Sequence, residues 1–239
     1  MAMLRCPSSW GSSEMARKRI IIIGAGGQAR EVKWIVEEIN SSEPTFDFAG
    51  FVISDLSKTT DLDSRDLIVG DVDWLRQHRG SYDALTLGIG TPSVRCRIAS
   101  ELEREFAAEW WPALVHPGAI FDRRSTVVGH GVLLCPGVVA TVNCVLEPHC
   151  MVNCGCTLGH EARIGRGSVI NPGANIGGGV LIGEGCLVGS GAQVLQYHSV
   201  GAGATVGAGA VVTRDVLPGT TVVGVPARPL PASGERQRS

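Results

Sequence analysis

Leu158-Gly-His-Glu-Ala-Arg-Ile164-Gly-Arg-Gly-Ser-Val-Ile170-Asn-Pro-Gly-Ala-Asn-Ile176 sets an aliphatic residue at every sixth position. Outward from this stretch the same register holds from Val128 to Val212, fifteen consecutive hexads in which Ala140 alone departs from a larger aliphatic. Four residues beyond each aliphatic comes a second, mostly small residue, such as Ala162, Ser168, Ala174, Ala192 or Ala210. Glycine commonly lies between them, as in Val206-Gly-Ala-Gly-Ala210. An α-helix repeats at about 3.6 residues and does not tolerate this glycine density, and a hairpin sheet repeats at about two. One large and one small inward residue per hexad means short flat strands joined by tight bends. Three hexads then close a triangular coil of 18 residues, and coils stack by parallel pairing about 4.8 Å apart. Fifteen hexads make five coils, and Val115-His-Pro-Gly-Ala119 and Phe121-Asp-Arg-Arg-Ser125 read as two earlier hexads displaced by one inserted residue.

The chain has 239 residues and a net charge of −2, which suits two modest domains and gives no reason to expect nucleic acid or an anionic membrane as a partner. Ile20 to Ile23 is far too short to span a bilayer. Four of the eight cysteines (Cys144, Cys150, Cys156 and Cys186) fall on the small inward position, where cysteine acts as a small buried hydrophobe. Cys154 and Cys156 form a C-x-C with no second pair, so no zinc site is expected, and a reducing, cytoplasmic setting fits. No two histidines are five apart, which argues against a metal hydratase on this scaffold. His198 falls on an inward position and is expected to mark a bulge, whereas His78, His130 and His149 are read as surface residues.

The N-terminal part alternates strands and helices. Arg19 to Ile23 reads as a buried strand, and a helix is expected over about 30–39. Further strands are read over 48–53 and 84–89, and further helices over 71–78 and 93–106. This is a small parallel α/β domain. Gly24, Gly26 and Ala29 fit G-x-G-x-x-A, in which glycines let backbone amides approach a pyrophosphate at a helix start. The segment is about half a dinucleotide fold, which favours a nucleotide-linked sugar over NAD. Asp55, at the end of the second strand, is placed to meet a ribose or base edge. Residues 1–17 are read as a disordered leader, 18–110 as the Rossmann-like domain, 111–217 as the β-helix and 218–239 as a C-terminal tail.

The hexad Leu158-Gly-His160-Glu161-Ala162 carries a histidine and a glutamate at its two outward corner positions. Imidazole takes a proton near neutral pH, and a neighbouring carboxylate supports its cationic form. Eighteen residues on lies Gly178 within Gly177-Gly178-Gly179, so the space over the imidazole is cleared and a backbone amide is available to an acyl carbonyl. Asn153 and Asn171, also 18 apart, are expected to form a polar ladder nearby. A base, a cleared floor and amide donors suit acyl transfer by direct attack on a thioester. The competing reading is an exposed His-Glu pair on a non-catalytic trimeric nucleotide-binding scaffold.

From about Arg19 onward the chain resembles the sialic acid O-acetyltransferase and nucleotide-amino-sugar N-acetyltransferase family (NeuD/PglD type) among the hexapeptide-repeat acyltransferases. The resemblance is carried by Ile23-Gly-Ala-Gly-Gly-Gln-Ala29, Ile89-Gly90, Val115-His-Pro117, the His160-Glu161 hexad and Val223-Gly-Val-Pro-Ala-Arg228. It implies a left-handed parallel β-helix and a homotrimer with acetyl-CoA bound between neighbouring helices, without a metal. It implies His160 as catalytic base with Glu161 beside it, Gly178 at the thioester, and Ser190 and Ala208 along the pantetheine arm. It further implies Asn153 near the acceptor, and Gly26, Gly27, Gln28, Ser54, Asp55 and Gly90 around a sugar nucleotide. The expected reaction is N-acetylation of a nucleotide-linked amino sugar for polysaccharide assembly, or O-acetylation of sialic acid or a related hydroxyl. Two positions depart from the family pattern: Gln28 stands where histidine is usual, and Val169 where some members carry a second histidine.

Overall fold

The computed structural model describes residues 16–53 and 65–230. Its N-terminal sheet is formed by β1 (Lys18–Ile23), β2 (Phe46–Val52), β3 (Ile68–Gly70) and β4 (Ala84–Leu87) in the order β3-β2-β1-β4, all parallel. β1 is the central strand, and Ile20 to Ile23 are buried on both sides, as an uninterrupted isoleucine run requires. The helices are α1 (Gly27–Ser42), α2 (Val72–Gln77) and α3 (Pro92–Leu102). The Asp71 side chain caps α2 by accepting from Trp74 N–H at 2.9 Å, and a proline in the first turn opens α3. α1 extends beyond the stretch expected from sequence at both ends. β3 escapes the pattern because three half-buried edge residues carry no periodicity.

From Leu114 onward the chain winds as a three-faced prism of two-residue strands. Val145 pairs with Arg163 and Arg163 with Leu181, so one coil is 18 residues, as the hexads require. Leu114 pairs instead with Leu133 and Ile120 with Val139, a spacing of 19 that marks the inserted residue. The inward side chains form one continuous core from Ala119 to Val222. Thr205 pairs with Thr221, so part of the expected tail adds a further strand, and Val222–Val223 pairs back on Arg228–Pro229.

The three faces, the first running through Leu133 and Met151, the second through Val139 and Thr157 and the third through Val145 and Arg163, differ in what covers them. The first presents Leu133, Met151 and Val169, which are buried in one cluster with Ala29, Val32 and Val36 of α1. Val169 is therefore interdomain core. The edge between the third and first faces receives α3. There Glu103 accepts from Arg166 at 2.6 Å and lies 2.7 Å from both His130 Nε2 and His149 Nε2. His149, expected at the surface, is fully buried, because α3 and Trp111 close over it. Buried Arg95 ties the same joint to the sheet, donating to the carbonyls of His149, Leu87 and Ile89. The second and third faces and the edge between them stay outward and expose Ile120, Val127, Val139, Leu181 and Tyr197. His198 causes no bulge: the Leu181–Ser199 pairing stays in register, and its ring turns towards Asp215 at 3.5 Å.

The seven described cysteines are all free. Buried thiols donate to backbone carbonyls, as Cys156 does to Asn171 at 3.1 Å, and burial pushes the Cys150 thiol up to about 12. No helix among the described residues is long and apolar enough to cross a membrane.

Candidate functional site

The corner after each second-face strand builds the edge on which His160 stands. Successive rungs carry Val142-Asn143, His160-Glu161, Gly178-Gly179 and Gln196-Tyr197. Their alignment is held by backbone bonds: Glu161 N–H donates to Val142 O at 2.9 Å, Gly179 N–H to His160 O at 2.7 Å, and Tyr197 N–H to Gly178 O at 2.9 Å. His160 Nε2 points at the space above Gly178, where a Cβ would fall 2.5 Å from it. The Gly178 N–H has no acceptor among the described residues and remains available. His160 Nδ1 faces Glu161 Oε2 at 3.7 Å. That is an ion-pair contact, too long for an orienting hydrogen bond. Both side chains are more than half exposed. A groove of about 370 Å³ runs along the second face beside this edge, past Thr141, Thr157, Gly159, Asn175 and Gln196.

The expected pantetheine and acceptor residues lie on another edge. Asn153, Asn171, Ser190 and Ala208 occupy corners between the first and second faces, one face away from His160. Asn153 Nδ2 does donate to Asn171 Oδ1 at 3.3 Å, so the polar ladder exists, but not next to the imidazole. The sequence ruler gives vertical alignment along an edge and says nothing of the distance between edges.

The Gly-rich motif sits at the carboxyl ends of β1 and β4, between which the strand order reverses, the usual ligand crevice of an open α/β sheet. Its glycines divide into two kinds. A Cβ at Gly24 would meet Gly88 O at 2.6 Å, and one at Gly88 would meet Ala29 Cβ at 2.6 Å, so these residues let the β1 turn, α1 and β4 turn close together. A Cβ at Gly26 would meet nothing within 4 Å, and one at Gly27 only Arg30 at 3.8 Å. Gly26 caps α1 without a side-chain hydrogen bond, leaving helix-start amides free for an anion. Gln28 donates to Glu31 at 3.1 Å, and its Oε1 faces Gly90. Gly26, Gly27, Gln28 and Gly90 are thus brought together. Ser54 and Asp55 lie outside the described residues.

Two features escaped the sequence reading. Tyr197 flanks the glycine rung, and the 18-residue ruler applied twice from Glu161 would have found it. Among the described residues Glu103, His130 and His149 form one group with metal-ligand spacing, but Arg166 already forks onto both oxygens of the Glu103 carboxylate. Burial pushes that carboxyl up, yet hydrogen bonds from Arg166, His130 and His149 prevail and hold it at about 2.

The model of the PglD N-terminal domain matches residues 19–102, and that of the bacterial transferase hexapeptide (six repeats) matches residues 161–196. No curated protein matches the sequence at a significant level. Among solved structures, a mutant of perosamine N-acetyltransferase from Caulobacter crescentus, in complex with CoA and GDP-perosamine, is similar with a TM-score of 0.78 and 26% identity, covering 91% of this chain and 99% of that one. The acetyltransferase domain of PglB from Neisseria gonorrhoeae FA1090 is 28% identical with a TM-score of 0.76, over 90% and 100% of the two chains. WeeI from Acinetobacter baumannii AYE is 30% identical with a TM-score of 0.75, over 89% and 99%. These matches span both the Gly-rich α/β half and the left-handed β-helix, and the chain belongs to the NeuD/PglD-type sugar acetyltransferases, hexapeptide-repeat acyltransferases.

Proposed function

We propose that the protein transfers an acetyl group from acetyl-CoA to the amine of a nucleotide-linked amino sugar. The observation that carries this reading is the aim of His160 Nε2 into the side-chain-free rung at Gly178, beside a free amide N–H. The acceptor amine attacks the thioester carbonyl carbon while Nε2 takes its proton. Gly178 N–H donates to the developing oxyanion. Collapse of the tetrahedral species forms the amide and expels CoA thiolate, which takes the amine's proton from the imidazolium. Glu161 stands beside the ring at 3.7 Å without fixing it. The open amides at Gly26 and Gly27 suit the pyrophosphate of the acceptor, and GDP-perosamine in the Caulobacter enzyme supports an amine acceptor.

One chain leaves His160 and the edge bearing Asn153, Ser190 and Ala208 a full face apart. The outward second and third faces carry exposed apolar residues, so a homotrimer with acetyl-CoA between neighbouring prisms completes the site. The pantetheine arm then runs along the groove of the second face, towards the small corner residues Ser190 and Ala208 on the edge shared with the first face. The product serves polysaccharide assembly.

The test is release of CoA thiol with UDP-, GDP- and CMP-linked amino sugars and with free sialic acid. His160→Ala is expected to lower kcat/KM on the order of 10²–10⁴-fold with an unchanged melting temperature. Wild-type turnover in that variant sinks the assignment of the base. Acetylation of sialic acid in preference to every amino sugar replaces the amine acceptor by a hydroxyl.

A further inference from the structure

The glycine rung Gly177-Gly178-Gly179 is bounded on one side by His160-Glu161 and on the other by Gln196-Tyr197. Tyr197 has φ 61°, at a corner position where ten other rungs carry glycine with φ between 62° and 70° and where Asn143, His149 and Glu161 hold the same left-handed conformation. A bulky L-residue is strained there, and strain retained next to a reactive side chain points to use. Burial does not compensate, because Tyr197 is 69% exposed. Its ring lies down on the glycine rung: a Cβ at Gly179 would fall 2.5 Å from Cδ1 and 2.7 Å from Cε1. The ring centroid stands 6.4 Å from that of the His160 imidazole, with the planes 59° apart. The end of the imidazole therefore lies over Gly178 and the aromatic ring over Gly179, on one backbone floor. Val142 and Leu195, both exposed, continue the apolar lining along the same edge.

We propose that Tyr197 determines acyl specificity: its ring is the wall against which the acyl group of the thioester rests, and it confines transfer to short chains. This rests on the reading of His160 as the base acting at Gly178. A longer acyl chain meets a ring that already lies against the Gly179 backbone. Packing against an extra methylene discriminates by about 10–200-fold, and the wall needs the ring and not its hydroxyl.

The experiment compares kcat/KM for acetyl-, propionyl- and butyryl-CoA in the wild type and in Tyr197→Phe, Tyr197→Gly and Tyr197→Asn, with an amino-sugar nucleotide that the wild type acetylates. Glycine and asparagine suit the left-handed corner, so both variants are expected to melt at or above the wild-type temperature. Tyr197→Phe is expected to keep the wild-type preference. Tyr197→Gly and Tyr197→Asn are expected to raise the butyryl-to-acetyl ratio at least tenfold. A ratio within twofold of wild type in both overturns the proposal. So does loss of activity together with loss of the assembly by light scattering, which would make Tyr197 an assembly residue. His160→Asn in the same assay separates the two ideas: full turnover there removes the underlying reading, whereas an inactive His160→Asn beside unaltered Tyr197 ratios removes the wall alone.

Discussion

At the scale of single residues, two glycines that look alike in sequence do opposite things. A Cβ at Gly178 meets the far end of a flexible, half-exposed imidazole, which swings aside at little cost to the fold. Gly178→Ala is therefore expected to melt like the wild type while losing on the order of 10²-fold in kcat, since the base is displaced from the reacting atoms. A Cβ at Gly88 meets Ala29 Cβ at 2.6 Å and Ala29 Cα at 2.7 Å, which cannot move without shifting α1 against the sheet. Gly88→Ala is expected to cost about 1–3 kcal/mol in urea unfolding. Equal effects of the two substitutions on stability would refute the distinction. The sequence motif flagged Gly24, Gly26 and Ala29 together; separating packing glycines from ligand-facing ones needs the opposing backbone, which no spacing supplies.

At the scale of elements, the docking of α3 on the prism edge governs the response to pH. Burial holds His149 down at about 4, despite the raising effect of Glu103, while Arg95 and Arg166 reinforce the depression. Between about pH 6.5 and 4 the unfolded chain takes up a proton that folded His149 refuses, so stability falls as the pH drops through this window. The loss is bounded at roughly 3 kcal/mol. Glu103, held at about 2 in the fold, adds a further loss as the pH falls below its unfolded value of about 4.5. Thermal unfolding from pH 7.5 to 4 should show this decline, and His149→Gln should flatten the upper part of it. An unchanged slope in that variant would place the proton uptake elsewhere. His149 looks like a surface corner in the hexad pattern, because every second outward corner position is open to solvent unless something docks on it. What docks here lies 46 residues earlier in the chain.

For the whole molecule, one face of the prism is spent on α1 and two remain outward. Ile120, Val127 and Leu181 are each at least half exposed there, an apolar extent that suits a second copy. A double substitution, Ile120→Lys with Leu181→Glu, is expected to yield monomers by light scattering and to abolish acetyl transfer while leaving the far-ultraviolet circular dichroism intact. Monomers that retain full activity would show that one prism suffices for the site.

Hexad periodicity alone determined the prism, its 18-residue coil and the vertical alignment of His160 beneath Gly178. In a stacked coil, neighbours in space are neighbours by fixed arithmetic, so local pattern and tertiary contact coincide. Tertiary structure decided which face is covered and that His149 is buried. Those outcomes come from docking an α/β unit whose contacts obey no repeat, set by side-chain shape across long separations in the chain.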